Sequence, residues 1–264
     1  MRLDIFLFQN SLAKSREFAK SLITTNKVMV NGKMITKPAF DIIGTEKIEI
    51  LKSDNPYVSR GGLKLLKALD VFKIDVTDNT CVDIGASTGG FTDCLLKKNA
   101  KLVYAIDVGT SQLDESLLSD KRVVNLEKTN IKSIKKEDFK TVDFICCDVS
   151  FISLSKVIPI ISDLLDVGKK AVMLIKPQFE MEKQHKLKKG VVKDIESHKK
   201  ILYNIIDVAV DNKLSPKALD YSPIKGGKGN IEYIFYCEKN GASNNIDALS
   251  IIKNARNNLK ELEK

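Results

Sequence analysis

Cys81-Val82-Asp83-Ile84-Gly85-Ala86-Ser87-Thr88-Gly89-Gly90-Phe91 decides the fold. Its first half reads as a buried strand, and its glycines read as a loop that opens a helix. In an open parallel sheet such a loop lies beyond the carboxyl end of its strand, where ligands bind. Glycine lets the backbone approach a ligand closely and takes a positive φ without strain. The spacing is G-x-x-x-G-G rather than the G-x-G-x-x-G that cradles a dinucleotide pyrophosphate. Asp83 adds a carboxylate ahead of the loop, suited to a zwitterionic or sulfonium ligand rather than to phosphate.

Around this stretch apolar strands alternate with helical segments. The strand candidates are Thr80–Ile84, Leu102–Ile106, Arg122–Leu126, Val142–Cys147, Ala171–Ile175, Ser215–Ser222 and Ile231–Glu238. Helix-length segments 90–98, 111–119 and 154–165 lie between the first five, and another fits 197–211. Such alternation predicts βαβ units and a parallel sheet covered on both faces. The last two strands leave no room for a helix between them, so an antiparallel hairpin is expected at one end. The fold class is therefore α/β, a Rossmann-like and mostly parallel seven-stranded sheet. Two more acids fall on the ligand rim. Asp107 follows the second strand, where a carboxylate can accept both hydroxyls of an adenosine ribose, and Asp148 follows the fourth. A glycine loop with acids after strands one, two and four points to S-adenosylmethionine rather than to a nicotinamide cofactor.

Composition bounds the partners. The 264 residues carry a formal net charge of +9, which favours an anionic partner, nucleic acid or an anionic membrane surface. Trp is absent and aromatics make up 6%, so no rich base-stacking platform is evident. The five cysteines, Cys81, Cys94, Cys146, Cys147 and Cys237, form no C-x-x-C pair and sit in or beside apolar runs. That is the pattern of reduced, buried thiols in a cytoplasmic protein rather than of disulfides or a zinc site. His185 and His198 have no spaced partner, so no metal is expected. No stretch reaches the roughly 18 apolar residues of a membrane span. Met1-Arg2-Leu3-Asp4 meets an acid at once, unlike a signal peptide.

Residues 1–52 read as a separate small α+β unit, 53–59 as a linker, 60–240 as the α/β domain and 241–264 as a C-terminal helix, amphipathic over 246–262. Leu3, Ile5, Phe6 and Leu7 predict a short first helix. Ser15 is a candidate N-cap, with Glu17 in the first turn, for a helix running to about Asn26. Phe18, Ala19, Leu22 and Ile23 share its apolar face, and Lys14, Arg16, Lys20 and Lys27 lie opposite. Val28-Met29-Val30 then leads into Asn31-Gly32, a tight-turn pair. A basic helix face beside a basic hairpin suits a phosphate backbone.

Several segments carry a family resemblance. They are Tyr57-Val58-Ser59-Arg60-Gly61-Gly62-Leu63-Lys64, Asp83 through Asp93, Asp107-Val108-Gly109, Asp148 through Leu154, Lys176-Pro177-Gln178-Phe179-Glu180 and Gly190-Val191-Val192-Lys193-Asp194. On these the chain resembles the TlyA (hemolysin A-type) ribosomal RNA 2′-O-methyltransferases over nearly its whole length. The catalytic domain is similar to the FtsJ-like methyltransferases. Arg2-Leu3-Asp4, Ser15-Arg16, Leu22-Ile23 and Val28 through Gly32 resemble the S4 RNA-binding domain.

The resemblance implies S-adenosylmethionine as methyl donor, a cytidine ribose 2′-hydroxyl as acceptor, and ribosomal RNA or a ribosomal subunit as partner. It maps a Lys-Asp-Lys-Glu tetrad onto Lys64, Asp148, Lys176 and Glu232. The expected cofactor-binding residues are Asp83, Gly85, Ala86, Ser87, Thr88, Gly89, Gly90, Phe91, Asp107, Val108, Asn130 and Asp148. The expected RNA-binding residues are Arg2, Lys14, Ser15, Arg16, Lys20, Lys27, Asn31, Lys33, Arg60, Lys188 and Lys189. A monomer is expected.

The chemistry is consistent with that tetrad. A ribose hydroxyl is a poor nucleophile until its proton leaves, whereas a sulfonium methyl donor needs only in-line positioning. The enzyme must therefore supply a base, and a lysine serves if burial or a second ammonium lowers its pKa. Lys176 is the expected base and Lys64 the neighbouring cation, with Asp148 and Glu232 orienting the ammonium groups. Carboxylates also raise a lysine's pKa, so the four act as a coupled set.

Other chemistries fit less well. Base-nitrogen methylation usually leaves an Asn/Asp-Pro-Pro-aromatic segment after strand four, where this chain has Asp148-Val149-Ser150-Phe151. Carbon methylation needs a Cys nucleophile, and Cys146-Cys147 precede the rim acid. The basic stretch Lys183 through Gly190 reads as a loop that could close over RNA. Thr110-Ser111 stands where the family more often has Tyr-Gly. The chain starts almost directly at Arg2-Leu3-Asp4, which implies a large-subunit (23S) target only, since longer members also modify the small subunit. Two alternatives of other classes are a non-catalytic RNA-binding assembly factor and a membrane-active hemolysin.

Overall fold

The computed structural model describes residues 1–13, 15–24, 26–51, 55–181 and 190–261. The chain divides into two compact units, Met1–Pro56 and Tyr57–Lys264. Lys14, Ser53, Asp54, Lys188 and Lys189, and with them most of the basic stretch after Lys176, lie outside the described residues, as does the side chain of Glu17.

In the small unit, helices α1 (Leu3–Gln9) and α2 (Arg16–Thr24) precede strands β1 (Val28–Val30), β2 (Lys33–Met34) and β3 (Ile48–Ile50). The strands pair antiparallel in the order β2-β1-β3. Ser15 Oγ accepts from the Phe18 amide at 3.0 Å, the N-cap bond its position predicts. Asn31 and Gly32 both take positive φ, +49° and +75°, as a two-residue hairpin turn of the I′ kind requires. The core holds Leu3, Leu7, Ala19, Ile23, Val28, Val30 and Ile42. Phe18 is exposed, so the apolar face of α2 is narrower than its spacing implied.

The large unit is a seven-stranded sheet. Its strands are β4 (Thr80–Ile84), β5 (Leu102–Ile106), β6 (Val123–Leu126), β7 (Phe144–Cys147), β8 (Lys170–Ile175), β9 (Leu214–Tyr221) and β10 (Tyr233–Lys239). The order is β6-β5-β4-β7-β8-β10-β9. The first five strands are parallel, and β10 runs antiparallel to both β8 and β9. The order reverses at β4, so the loops after β4 and β7 diverge and leave the crevice where ligands bind in such sheets.

Alternate residues of the strands serve opposite faces. Val82, Ile145, Met173 and Phe235 point to α6 (Ile158–Leu164), α8 (Ile195–Asp211) and α9 (Ala248–Glu261), and a single turn, α7 (Pro177–Glu180), follows β8. Cys81, Phe144, Val172 and Ile234 point to α3 (Gly61–Val71) and α4 (Gly90–Lys97). The C-terminal helix is thus part of the main core, through Ala248, Ile252 and Ala255.

Several boundaries differ from the sequence expectation, and two have a clear physical cause. The helix expected over 111–119 shrinks to α5 (Glu115–Leu118), because Ser111 takes φ +52° and gives its amide to Glu127 Oε2 at 2.6 Å. The α/β unit starts at Tyr57 rather than at Arg60. The Val58 amide donates to Asp93 Oδ2 at 2.8 Å, and the Tyr57 ring fills the space where a Gly62 side chain would sit.

Leu7 is fully buried in the small unit. A core Leu→Ala substitution costs about 2–5 kcal/mol, much of what so small a core supplies. Leu7→Ala should therefore open the small unit while the central sheet stays closed. Hydrogen exchange checks this: amides of 3–50 should lose protection and those of 80–84 keep it.

Candidate active site

Sheet register brings the site together. Tyr233 pairs with Ile175 across the antiparallel β10–β8 ladder, so Glu232 and Lys176, each one residue beyond, meet at the same edge. Ile84 pairs with Cys147 on the parallel β4–β7 ladder, which puts Gly85 beside Asp148. Lys64 comes from the first turns of α3, a helix that packs on α4 and reaches β10. Four elements thus deliver the four predicted residues to one place.

Their charged groups alternate in sign along a chain. Lys176 Nζ lies 2.5 Å from Asp148 Oδ1. Lys64 Nζ lies 3.4 Å from Asp148 Oδ2 and 2.6 Å from Glu232 Oε2. Lys64, Lys176 and Glu232 are buried. The Lys176–Asp148 contact is an ion pair by distance, and the ammonium makes its directed hydrogen bond to Ser150 Oγ at 2.9 Å. Burial alone would lower the Lys64 pKa, but Asp148 and Glu232 outweigh it and hold Lys64 above the ordinary lysine value.

These residues form the floor of a cleft of about 630 Å³, within the span of about 300–1,000 Å³ usual for small-molecule sites. Gly85, Ala86, Ser87, Thr88, Gly90 and Phe91 line one wall. Gly85 takes φ +84°, and a Cβ there would sit 2.8 Å from the Asp148 carbonyl oxygen. A side chain at Gly90 would meet Ser59 Oγ at 2.2 Å. The loop must therefore be glycine to close against the Asp148 and Ser59 segments and still leave its cradle open. Gly89, also at positive φ, caps α4.

Five of the expected cofactor residues, Asp83, Gly89, Asp107, Val108 and Asn130, are not part of the cleft lining. Asp107 accepts from the Ser87 amide at 2.8 Å and the Gly109 amide at 2.7 Å, which holds the glycine loop to the end of β5. Val108 is exposed beside it. Asn130 caps a short 3₁₀ turn, Ile131–Ser133, through the Lys132 amide at 3.0 Å. Asp83 lies beneath the loop, fully buried, with Oδ2 accepting from Thr92 Oγ1 at 2.7 Å. Its Oδ1 has no partner among the described residues. Burial pushes this carboxyl up to about 7 from its ordinary 3.8, against the lowering effect of Thr92.

Of the expected RNA-binding residues, Arg60 lines the cleft mouth. Lys33 is exposed on β2, and Asn31 Oδ1 is used internally, accepting from the Lys47 amide at 2.8 Å. Ser15 is the α2 cap, and Lys20 and Lys27 are half-buried. Arg2 and Arg16 share one anchor that the sequence reading missed. Asp4, fully buried, takes Arg2 Nε at 2.9 Å and Arg16 Nη2 at 3.4 Å. Burial raises the Asp4 pKa, and the two arginines reverse this and hold it below 3.8. Also missed was Glu180, which accepts from Ser153 Oγ at 2.6 Å and the Leu154 amide at 2.8 Å. That carboxylate ties the segment after Lys176 to the segment after Asp148. All five thiols are unpaired and buried, and burial pushes Cys146 and Cys147 upward, away from a nucleophilic thiolate.

Asp83 gives a pH test. In the unfolded chain it ionises near 3.8, in the fold near 7. The stability it contributes is complete below pH 3.8 and is lost as pH rises through 7, on the order of 1.4 kcal/mol per pH unit. Asp83→Asn should remove that decline. Its melting temperature should exceed the wild-type value at pH 8, with the gap narrowing toward pH 5; identical pH profiles would contradict the assignment.

Comparison with known proteins bears on the family and the fold. The FtsJ-like methyltransferase family model matches residues 57–239, and the S4 domain model matches residues 1–42. The chain is 46% identical to Hemolysin A of Brachyspira hyodysenteriae, over 89% of this chain and 98% of that one. It is 38% identical to the 16S/23S rRNA (cytidine-2′-O)-methyltransferase TlyA of Mycobacterium tuberculosis, over 89% and 88%. It is 36% identical to the 23S rRNA (cytidine-2′-O)-methyltransferase TlyA of Campylobacter jejuni, over 91% and 100%. A solved structure from Streptococcus thermophilus that carries the hemolysin name superposes with a TM-score of 0.80 at 39% identity, covering 100% of this chain and 98% of that one. The two family models and these relatives have one family in common: the chain belongs to the FtsJ-like methyltransferases, in the TlyA/hemolysin A group, and its methyl donor is S-adenosylmethionine.

Proposed function

We propose that this protein methylates a cytidine ribose 2′-hydroxyl of ribosomal RNA, with 23S RNA in the cytoplasm as its target. The observation that carries the reading is the buried string Lys176–Asp148–Lys64–Glu232 on the floor of the cleft, next to the glycine cradle. Buried charges are expensive to keep, and strongly interacting titratable groups in a cleft mark catalytic sites.

S-adenosylmethionine, when bound, supplies an activated methyl on a sulfonium. The glycine loop from Gly85 to Gly90, with Phe91 and Asp148, is the wall we assign to its amino-acid portion. Asp107, Val108 and Asn130 extend along the same strand ends and are assigned to its adenosine. The remaining chemistry belongs to the tetrad. Lys64 lies between two carboxylates and stays an ammonium. Lys176 shares Asp148 with Lys64 and otherwise has only a hydroxyl, Ser150 Oγ. We therefore assign Lys176 as the base: its ammonium first releases a proton to solvent, and the neutral amine then takes the 2′-hydroxyl proton, which restores the alternating charges of the string as the oxygen attacks. Glu232 and Asp148 hold the two lysines in place. Arg2 and Arg16, fixed by Asp4, are assigned to RNA phosphates, together with Lys20, Lys27 and Lys33.

Lys176→Ala should lower methyl transfer by about 10²–10⁴-fold, the usual worth of a general base, with S-adenosylmethionine affinity unchanged. Lys176→Arg keeps the charge but cannot be deprotonated, so it should be equally inactive. Recovery of activity in the arginine variant would reduce Lys176 to an electrostatic role. Transfer of labelled methyl to isolated small and large ribosomal subunits, followed by mapping of alkali-resistant ribose positions, tests the substrate. Label confined to the large subunit is the expected result.

A further inference from the structure

The loop between β9 and β10 forms a wall of the cleft that the sequence reading did not single out. Ile224, Lys225, Gly226, Gly227, Lys228 and Asn230 all line it. Its base is tightly held. The Ser222 amide donates to the Glu232 carbonyl at 2.8 Å, and the Gly226 amide donates to the Asn230 carbonyl at 2.9 Å. Asn230 is buried, and its side chain bonds the backbone of Gly190 at 2.9 Å and of Val192 at 3.0 Å. The Gly229 amide closes the turn on the Gly226 carbonyl at 2.8 Å, with Gly229 at φ +87°.

The tip above this base is different. Gly227, Lys228 and Gly229 are exposed. The amides of Gly227 and Lys228 have no acceptor, and the Lys228 ammonium has no carboxylate partner, among the described residues. The Lys228 stem lies over Gly190, its Cδ 3.4 Å from where a Cβ would stand. Arg60, on the cleft mouth, likewise has no carboxylate partner among the described residues. The floor cations Lys64 and Lys176 are each paired. Cationic charge in the cleft is therefore neutralised at the bottom and open at the rim.

We propose that the Gly227–Lys228 tip is a phosphate grip that holds the RNA backbone beside the ribose being methylated. This rests on the reading of the site as an RNA 2′-O-methyltransferase. In a ribose the 2′-hydroxyl and the 3′-phosphodiester stand on adjacent carbons. A hydroxyl presented to Lys176 must bring a phosphate to within a few bonds of it, and the cleft must receive that charge. Exposed successive amides at a glycine turn, with one lysine, are the usual protein answer to a phosphate. The grip also touches the chemistry directly. A Cβ on Gly226 would lie 2.5 Å from Glu232 Oε1, so the loop packs against the carboxylate that holds Lys64.

The anion could instead be the carboxylate of S-adenosylmethionine, and the test separates the two. Lys228→Ala and Lys228→Glu are exposed changes, and both should keep the wild-type melting temperature. Binding to 23S ribosomal RNA and to isolated large subunits is measured across a salt series, and S-adenosylmethionine binding by calorimetry. The expected result is a several-fold loss of RNA affinity for Lys228→Ala and a larger one for Lys228→Glu. The dependence of log K on log salt should flatten by about one, with S-adenosylmethionine affinity unchanged. Gly226→Ala should instead lower kcat and leave RNA affinity intact. Wild-type RNA affinity and salt slope in Lys228→Glu would overturn the grip while the wild-type enzyme still methylates RNA. A loss confined to S-adenosylmethionine binding would also overturn it. Failure of the wild-type enzyme to bind or methylate the RNA would overturn the underlying reading as well.

Discussion

Two buried lysines and two carboxylates, strung in alternating order, are the interaction on which the rest of this structure depends. Each charge is tolerable in the interior only because an opposite charge lies against it. No two of the four lie on the same element. Asp148 directly follows β7, Lys176 directly follows β8, Glu232 directly precedes β10 and Lys64 sits on α3. The string therefore exists only when three strands are in register and one helix is docked. A slip of one residue on any ladder would turn a charge toward the opposite face of the sheet. Assembly of the site and correct folding of the sheet are in this sense one event.

The surrounding polar contacts serve that geometry. Glu180 fastens the segment after Asp148 to the segment after Lys176. His198 bridges Tyr233 Oη at 2.7 Å and the Val192 carbonyl at 3.0 Å, and burial keeps its pKa below the ordinary value, so a neutral ring links α8 to the strand that carries Glu232. Asn230 ties the same segment to the β9–β10 loop. Each of these side chains, Glu180 half-buried and His198 and Asn230 buried, fastens a loop that has no ladder to hold it. That is how irregular backbone at the end of a sheet acquires a fixed shape. In the small unit Asp4 does the same for Arg2 and Arg16, and leaves both guanidinium groups partly open to solvent.

Charge is layered rather than simply abundant. The net +9 gave only a general leaning toward an anionic partner. Many lysines are spent on internal pairs, among them Lys67 with Asp220 and Lys169 with Asp143. The cations that matter are those left open where a polyanion would enter, at the mouth of the cleft and on the small unit. A field concentrated at a cleft acts on ligand capture more than the same charge spread over a surface.

Much was legible in the chain itself. Continuous apolar runs rich in Val, Ile and Cys marked the strands, because a strand buried on both faces admits little else. The Gly85–Gly90 spacing fixed the loop and its position on the sheet, because only glycine allows the close approach to Asp148. The tetrad was legible through family resemblance, since four isolated polar residues have no periodicity to read. Left to the tertiary structure were Asp4, Glu180, Asn230 and Lys228. Each acts through a partner or an opening that is distant in sequence. The sequence also could not tell that Asp83 lies under the cradle rather than in it, because burial depends on how α4 packs over β4. Local sequence determined which elements form and where their glycines and charges fall. Only the three-dimensional pairing decided which of those charges are neutralised in the interior and which remain open to a ligand, because electrostatic partnership depends on distance in space and not on distance along the chain.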